Sequence, residues 1–360
     1  MDAMATATIH DGAAVPARDT ARDRAAIRRW LYVVLALLLT LVVVGGATRL
    51  TDSGLSITEW KPVHGTIPPL SAAEWEEEFA KYREIPEYQY VNRGMSLDEF
   101  KVIFWWEWGH RVLARAVGLA FALPLAWFWV TGRIEPWLKP RLLGLLVLGG
   151  AQGAIGWWMV TSGLTERTDV SQYRLAVHLT LASVIIAAIV WVARSLRPGE
   201  AARRRTTTVS AGVLSLAILV QIYLGALVAG MDAGLAYNTW PLMDGSVVPS
   251  GLAVLEPVWL NAFENAKAVQ FIHRSFAYAV FGLALFHAWR TVADEGGTNA
   301  GRRSLVIAVL VTWQAVVGIV TLVTMVPLGW ALLHQATAIV LLGVAVWHWR
   351  ACVGERPLPA

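Results

Sequence analysis

Cysteine is almost missing from this chain: of its 360 residues only Cys352 is one. A lone thiol forms no intrachain disulfide, no CxxC redox pair and no thiolate metal site, so a secreted disulfide scaffold is excluded. Any metal chemistry falls to carboxylates or to the 8 histidines. Charge is scarce as well. Charged residues make up 16% against 56% hydrophobic, and the mean hydropathy is +0.51, a balance that excludes a soluble enzyme. The formal net charge of +4 does not mark a nucleic-acid partner, because membrane proteins gather arginine at one face to set their orientation. The composition fits a chain whose main solvent is the lipid bilayer.

What the sequence has instead is length of apolar run. Uncharged stretches from Leu142 to Thr165, Leu175 to Ala193, Thr206 to Met231, and a doubled one from Ser304 to Trp349 reach the roughly 20 residues that a bilayer crossing needs. Hydropathy predicts an all-α membrane protein of eight transmembrane helices, near 30–48, 106–130, 142–162, 174–194, 208–230, 268–289, 304–325 and 329–349. The first is too long for a removed signal peptide and lacks a small-residue cleavage site, so it reads as an anchor. Residues 1–27 read as a disordered polar tail and 352–360 as a second tail. Arg22, Arg24, Arg28 and Arg29, then Arg133, Lys139 and Arg141, then Arg194, Arg197 and Arg203 to Arg205, then Arg290, Arg302 and Arg303, then Arg350 all flank one face. The positive-inside rule makes that face cytoplasmic, with both termini on it. The tail carries Asp2, Asp11, Asp19 and Asp23, which suits a transit peptide poorly, so the expected location is a bacterial inner membrane.

The chain also repeats itself. At an offset of 180, Gly45, Asp52, Gly54, Leu55, Trp60 and Pro69 meet Gly225, Asp232, Gly234, Leu235, Trp240 and Pro249. At 163, His110 and Arg111 meet His273 and Arg274; at 162, Gln152 and Gly156 meet Gln314 and Gly318; at 156, His178 meets His334. Four helices per repeat keep the two copies parallel, which predicts two tandem pseudo-symmetric four-helix bundles, 28–198 and 199–351, and not an inverted transporter repeat. Gly149, Gly150, Gly153, Gly156, Gly225 and Gly318 are small enough to let helices approach closely, and such faces are compatible with a homo-oligomer.

His110, His178, His273 and His334 begin the second, fourth, sixth and eighth spans, each about one to two turns inside the outer face. At ~1.5 Å rise per residue they share a depth, two per bundle. Facing imidazoles in a bundle core hold a planar macrocycle through both axial positions of its iron. Gly109, Gly118, Gly153 and Gly282 offer room, and Arg111 and Arg274 offer charge for propionates. A single intramembrane histidine is equally well a helix-to-helix hydrogen bond; four at matched depth in a duplicated frame favour heme. Zinc or copper fits less well, since two histidines per bundle leave the coordination unfilled.

The halves differ three residues before each His-Arg pair, where Glu107 stands in the first and Gln270 in the second. The i, i+3 spacing puts Glu107 on the face of His110, where its carboxylate can give or take a proton; the i, i+4 spacing to Arg111 allows a plain ion pair instead. The asymmetry favours a reactive first bundle and a cofactor-holding second one. His287 and His348 each follow a candidate ligand by 14 residues, roughly 21 Å along a helix. That spacing suits a second heme in the same bundle, and with it the alternative reading of a non-enzymatic multiheme electron carrier of b type. Their place at the cytoplasmic interface, among Trp289, Trp347 and Trp349, suits ordinary interfacial histidines.

Taken together, GGATRLTDSGLSITEWKP at 45–62, GTIPP at 65–69, EWGHR at 107–111, QGAIGWWMVTSGL at 152–164, AGLAYNTWPLM at 233–243 and FIHR at 271–274 resemble the heme A synthase family over essentially all of residues 28–351. The resemblance implies conversion of heme O to heme A, by oxidation of one porphyrin methyl group to a formyl group in two successive hydroxylations, for terminal oxidase assembly. It implies heme b as cofactor, ligated by His273 and His334, heme O received between His110 and His178, and Glu107 as the catalytic acidic residue. It further allows heme O synthase and cytochrome oxidase assembly factors as partners. Some members carry a cysteine pair in the outer loops; this chain lacks it and resembles the cysteine-free branch.

Overall fold

The structure, a computed structural model, describes residues 19–61, 64–201 and 203–354. Among these the only β pairing is an isolated bridge between Met243 and Ser246; the rest is helix and loop. Eight helices are long and apolar enough to cross a membrane: α1 (Thr20–Leu50), α4 (Leu97–Val130), α5 (Lys139–Val160), α6 (Gln172–Ser195), α7 (Arg205–Gly230), α10 (Ala266–Glu295), α11 (Asn299–Val323) and α12 (Leu328–Val353). The protein is a multi-pass membrane protein. Short helices α2 (Ala72–Arg83) and α3 (Pro86–Tyr90) lie between α1 and α4, while α8 (Ala233–Ala236) and α9 (Asn261–Glu264) lie between α7 and α10.

The helix ends differ from the hydropathy bounds where polar chemistry extends them. Helix α1 starts at Thr20, inside the stretch read as tail, because the Asp19 side chain accepts from the Arg22 amide and Ile27 and Leu31 are buried; residues 1–18 and 355–360 of the two expected tails lie outside the described residues. Helix α4 runs 34 residues, about 51 Å at ~1.5 Å per residue, well beyond a ~30 Å hydrocarbon layer. Its first turns are started by a Ser96–Glu99 capping box and packed into an apolar core of the outer cap. There Phe100 and Phe104 meet Leu55, Ile57, Phe79, Tyr82 and Ile85. A second capping box, Ser71–Glu74, starts α2.

The packing pairs are α1 with α4, α4 with α5, α5 with α6 and α6 with α1, and then α7 with α10, α10 with α11, α11 with α12 and α12 with α7. Helices α6 with α7, α6 with α12 and α1 with α12 make the seam between them. This is compatible with two four-helix bundles side by side. The seam is tight: a Cβ on Gly46 of α1 would lie 2.2 Å from Gln335 Oε1 of α12, and the Gln335 amide donates to the Val42 carbonyl at 3.0 Å. At the end of the spans away from the termini Arg49 donates to Asp52 and to Asp232, each at 3.0 Å. These two aspartates are equivalent in the repeat, and both have φ of 48°, a left-handed conformation that aspartate tolerates better than most residues.

The cap also buries a carboxyl that forms no ion pair among the described residues. Glu87 on α3 is 5% exposed and its Oε2 has no hydrogen-bond partner. Burial, with the charges of Asp52 and Glu107 adding to it, pushes its pKa up to about 8, against a partial offset from the Tyr82 hydroxyl. The folded cap thus keeps a proton that the unfolded chain sheds near the ordinary value, so the stabilisation is complete at low pH and disappears as pH rises toward and through about 8. Thermal unfolding in detergent should therefore fall between pH 5 and pH 9, with a flatter dependence in Glu87→Gln; equal slopes in the two proteins would refute this account of the cap.

Candidate functional site

The four histidines predicted as ligands occupy four equivalent niches. Each is carried by one helix and backed by a glycine on the preceding transmembrane helix. A Cβ added at Gly45 would lie 2.7 Å from His110 Cε1, at Gly156 3.0 Å from His178 Cε1, at Gly225 3.0 Å from His273 Cε1, and at Gly318 2.7 Å from His334 Cε1. Only glycine lets the rings lie this close to the neighbouring backbone. Gly109, Gly118, Gly153 and Gly282, expected to make room, have no neighbouring atom within 4 Å of such a Cβ, and neither do Gly149 and Gly150. Which way a glycine faces depends on the rotational phase of its helix, and hydropathy does not supply that.

Three of the histidines share a further contact. One turn before the backing glycine stands a glutamine whose amide nitrogen donates to the histidine's own carbonyl and lies against its ring. Gln152 reaches His178 O at 3.0 Å, Nδ1 at 3.2 Å and Nε2 at 3.3 Å; Gln221 reaches His273 O at 3.0 Å, Nδ1 at 2.9 Å and Nε2 at 3.3 Å; Gln314 reaches His334 O at 3.0 Å and Nδ1 at 3.1 Å. The signal is present in the sequence as glutamine followed four residues later by glycine, at 152/156, 221/225 and 314/318. Its meaning needs the contacts between helices.

Glu107 is buried, 3% exposed, and all of its visible bonding is structural. Its Oε2 accepts from Ser56 Oγ at 2.7 Å and from the Ile57 amide at 2.8 Å, and its Oε1 accepts from Arg111 Nη2 at 2.6 Å and Nε at 3.1 Å. The Arg111 guanidinium also donates to the Ile57 and Glu59 carbonyls. Gln270, the counterpart, donates to the carbonyls of Ala233 and Tyr237, both at 3.1 Å. Tyr237 stands 180 residues after Ile57. Both side chains thus hold the outer loop of their own half, Glu107 as acceptor and Gln270 as donor. The anticipated Glu107–Arg111 ion pair is present. Arg274 donates to the carbonyls of Pro241 and Leu242, and its Nη1 is buried without a partner.

His287 and His348, considered for a further heme, are both fully buried and bonded to each other, Nε2 to Nε2 at 2.9 Å. His287 Nδ1 meets Ser210 Oγ at 2.8 Å, and His348 Nδ1 lies 3.4 Å from Arg303 Nε. Their ring nitrogens are engaged with each other and with Ser210 and Arg303, as in a polar cross-link between helices. Among the described residues no group of three or more histidine, cysteine or acidic side chains could hold a bare metal ion.

Comparison with known proteins bears on this arrangement of paired histidines. A family model described as cytochrome oxidase assembly protein matches residues 28–346. The heme A synthase of Sinorhizobium fredii is 59% identical over 343 residues, covering 95% of this chain and 94% of that protein. The chain belongs to the heme A synthase family. The heme A synthase of Rhizobium meliloti is 59% identical over 340 residues, 94% of this chain and 93% of the relative, and that of Mesorhizobium japonicum is 58% identical over 355 residues, 98% of both. Heme A synthase relatives therefore match both halves of the chain, with all four histidine niches inside the matched span.

Proposed function

We propose that the protein oxidises one methyl group of heme O to a formyl group, giving heme A for assembly of a terminal oxidase. The observation that carries the reading is the set of four histidine–glycine niches, two in each half, with a carboxylate beside only one pair. The residues suit hemes. Buried polar atoms without partners, His110 Nδ1, Gln152 Oε1, Gln221 Oε1 and Arg274 Nη1, gather on or beside the same rings and at the outer end of the second half. In this reading His273 and His334 hold heme b, which supplies a one-electron redox centre. His110 and His178 bind the iron of the substrate heme O and fix its ring plane, and Arg274 Nη1 and the Arg111 guanidinium are the donors offered to propionates. Glu107 stands one helical turn from His110 and either takes the proton of a water that captures the oxidised methyl carbon or stabilises positive charge as it develops there. The basic residues at the shared end of the spans orient the protein in a bacterial inner membrane with both termini in the cytoplasm.

The test is to purify the protein in detergent, supply heme O, and separate the extracted porphyrins. Heme b together with heme A is expected from the parent, and loss of heme b from His273→Ala. Heme b alone at two or more per chain, with no formyl product, would overturn the reading.

A further inference from the structure

The four niches are alike except in one residue. Gln152, Gln221 and Gln314 each stand four residues before the glycine that backs a histidine; the same place before Gly45 is held by Leu41. In the repeat Leu41 is the counterpart of Gln221. Leucine offers neither donor nor acceptor, and the consequence is visible on the ring: His110 Nδ1 is buried without a hydrogen-bond partner.

We infer that His110 is the yielding ligand of the first site, and that Leu41 makes it so. This rests on the proposal that His110 and His178 take heme O. An imidazole that binds iron through Nε2 carries its proton on Nδ1, and a partner for that N–H fixes the ring's rotation and strengthens it as a donor. Glutamine suits this task in either state. Its nitrogen meets Nδ1 as the amide now lies, and a half-turn of the amide, which gives up the bond to the histidine carbonyl, presents the oxygen to an Nδ1–H. The oxygens of Gln152 and Gln221 have no other hydrogen-bond partner, whereas that of Gln314 is taken by the Thr337 hydroxyl. His273 and His334 are therefore both held, as suits a cofactor that stays. The first site pairs a held ligand, His178, with one that lacks its outer partner. A porphyrin there leaves by breaking its bond to His110 first, as suits a product that must depart. Leu41 and Gln221 are thus positioning residues, acting through the imidazoles and not on the porphyrin.

The experiment follows heme transfer from the purified protein, loaded with heme b and supplied heme O, to an excess of apo-globin, with each porphyrin identified by chromatography. The parent should release heme O while retaining heme b. Leu41→Gln should slow heme O release by about tenfold or more, the lower range for an outer-sphere partner of a metal ligand, with heme b release unchanged. Gln221→Leu should make heme b exchangeable by a similar factor, and Gln152→Leu should hasten heme O release. Heme O loading in all variants with release rates equal to the parent's overturns the inference and leaves the proposed function standing. A parent that takes up no heme O overturns both.

Discussion

Replacing Glu107 with glutamine is expected to leave both porphyrins bound and to lower formyl production by at least about a hundredfold, within the ~10²–10⁴ range that a positioned proton-transfer group contributes. The fold has already shown that an amide serves at this place, since Gln270 holds the corresponding loop of the second half through the Ala233 and Tyr237 carbonyls. A glutamine at 107 keeps an oxygen to accept from Ser56 Oγ and the Ile57 amide. It loses the charge that faces Arg111, while the Arg111 guanidinium keeps the Ile57 and Glu59 carbonyls as acceptors. The new amide nitrogen faces the Arg111 Nε and Nη2 donors, so thermal unfolding in detergent should come at lower temperature, while heme content moves little and heme A disappears from the extract. Undiminished formyl production in Glu107→Gln would remove the carboxylate from the chemistry and leave it as a loop anchor. Parallel loss of heme O binding and product would likewise reduce it to a structural group.

Loss of heme b is the expected result of Gly318→Val. The first carbon of any side chain at 318 would stand 2.7 Å from His334 Cε1, closer than real contacts allow, and the ring has the Gln314 amide on it as well. Overpacking of this kind costs about 1–3 kcal/mol, a factor of roughly 5 to 150 in occupancy if it falls on the ligated state. Heme b per chain, measured by absorbance after extraction, should drop by that order, with heme O uptake by the first site preserved. Gly144→Val on α5, in the other half, is the matched control, because a Cβ there meets nothing within 4 Å. Equal heme b content in the two variants would mean that the niche does not seat the ligand.

Much of this is legible in the chain. Eight spans, a fourfold histidine pattern and an internal repeat follow from composition and spacing, because apolar length and sequence register survive without coordinates. The extension of α4 to Leu97 is hidden because its outer turns are polar by composition and are stabilised by a capping box and the cap's own apolar core, not by lipid. The second role of glycine, backing a histidine ring, is hidden for a related reason. Gly109 and Gly282 look as suitable as Gly45 in a string of letters, and only helix phase separates the open ones from those pressed against a ring. Glu107 stands out by its contrast with Gln270, yet the loop amide it accepts from lies 50 residues away. No periodicity connects such partners.

The contact of Gln335 with α1 has a consequence for how separable the two halves are. Successive residues on a helix point about 100° apart: on α12, His334 looks toward its own bundle, against Gly318, while Gln335 grips the Val42 carbonyl and closes on Gly46 of the other. The rotational phase of α12 is therefore set from outside its own half, and with it the aim of the second pair's imidazole. Duplicated chains are often imagined as modules that could be cut apart. Here the second module takes an angular reference from the first, so a fragment holding only helices α7 to α12 would keep its ligands in sequence and lose the contact that points one of them.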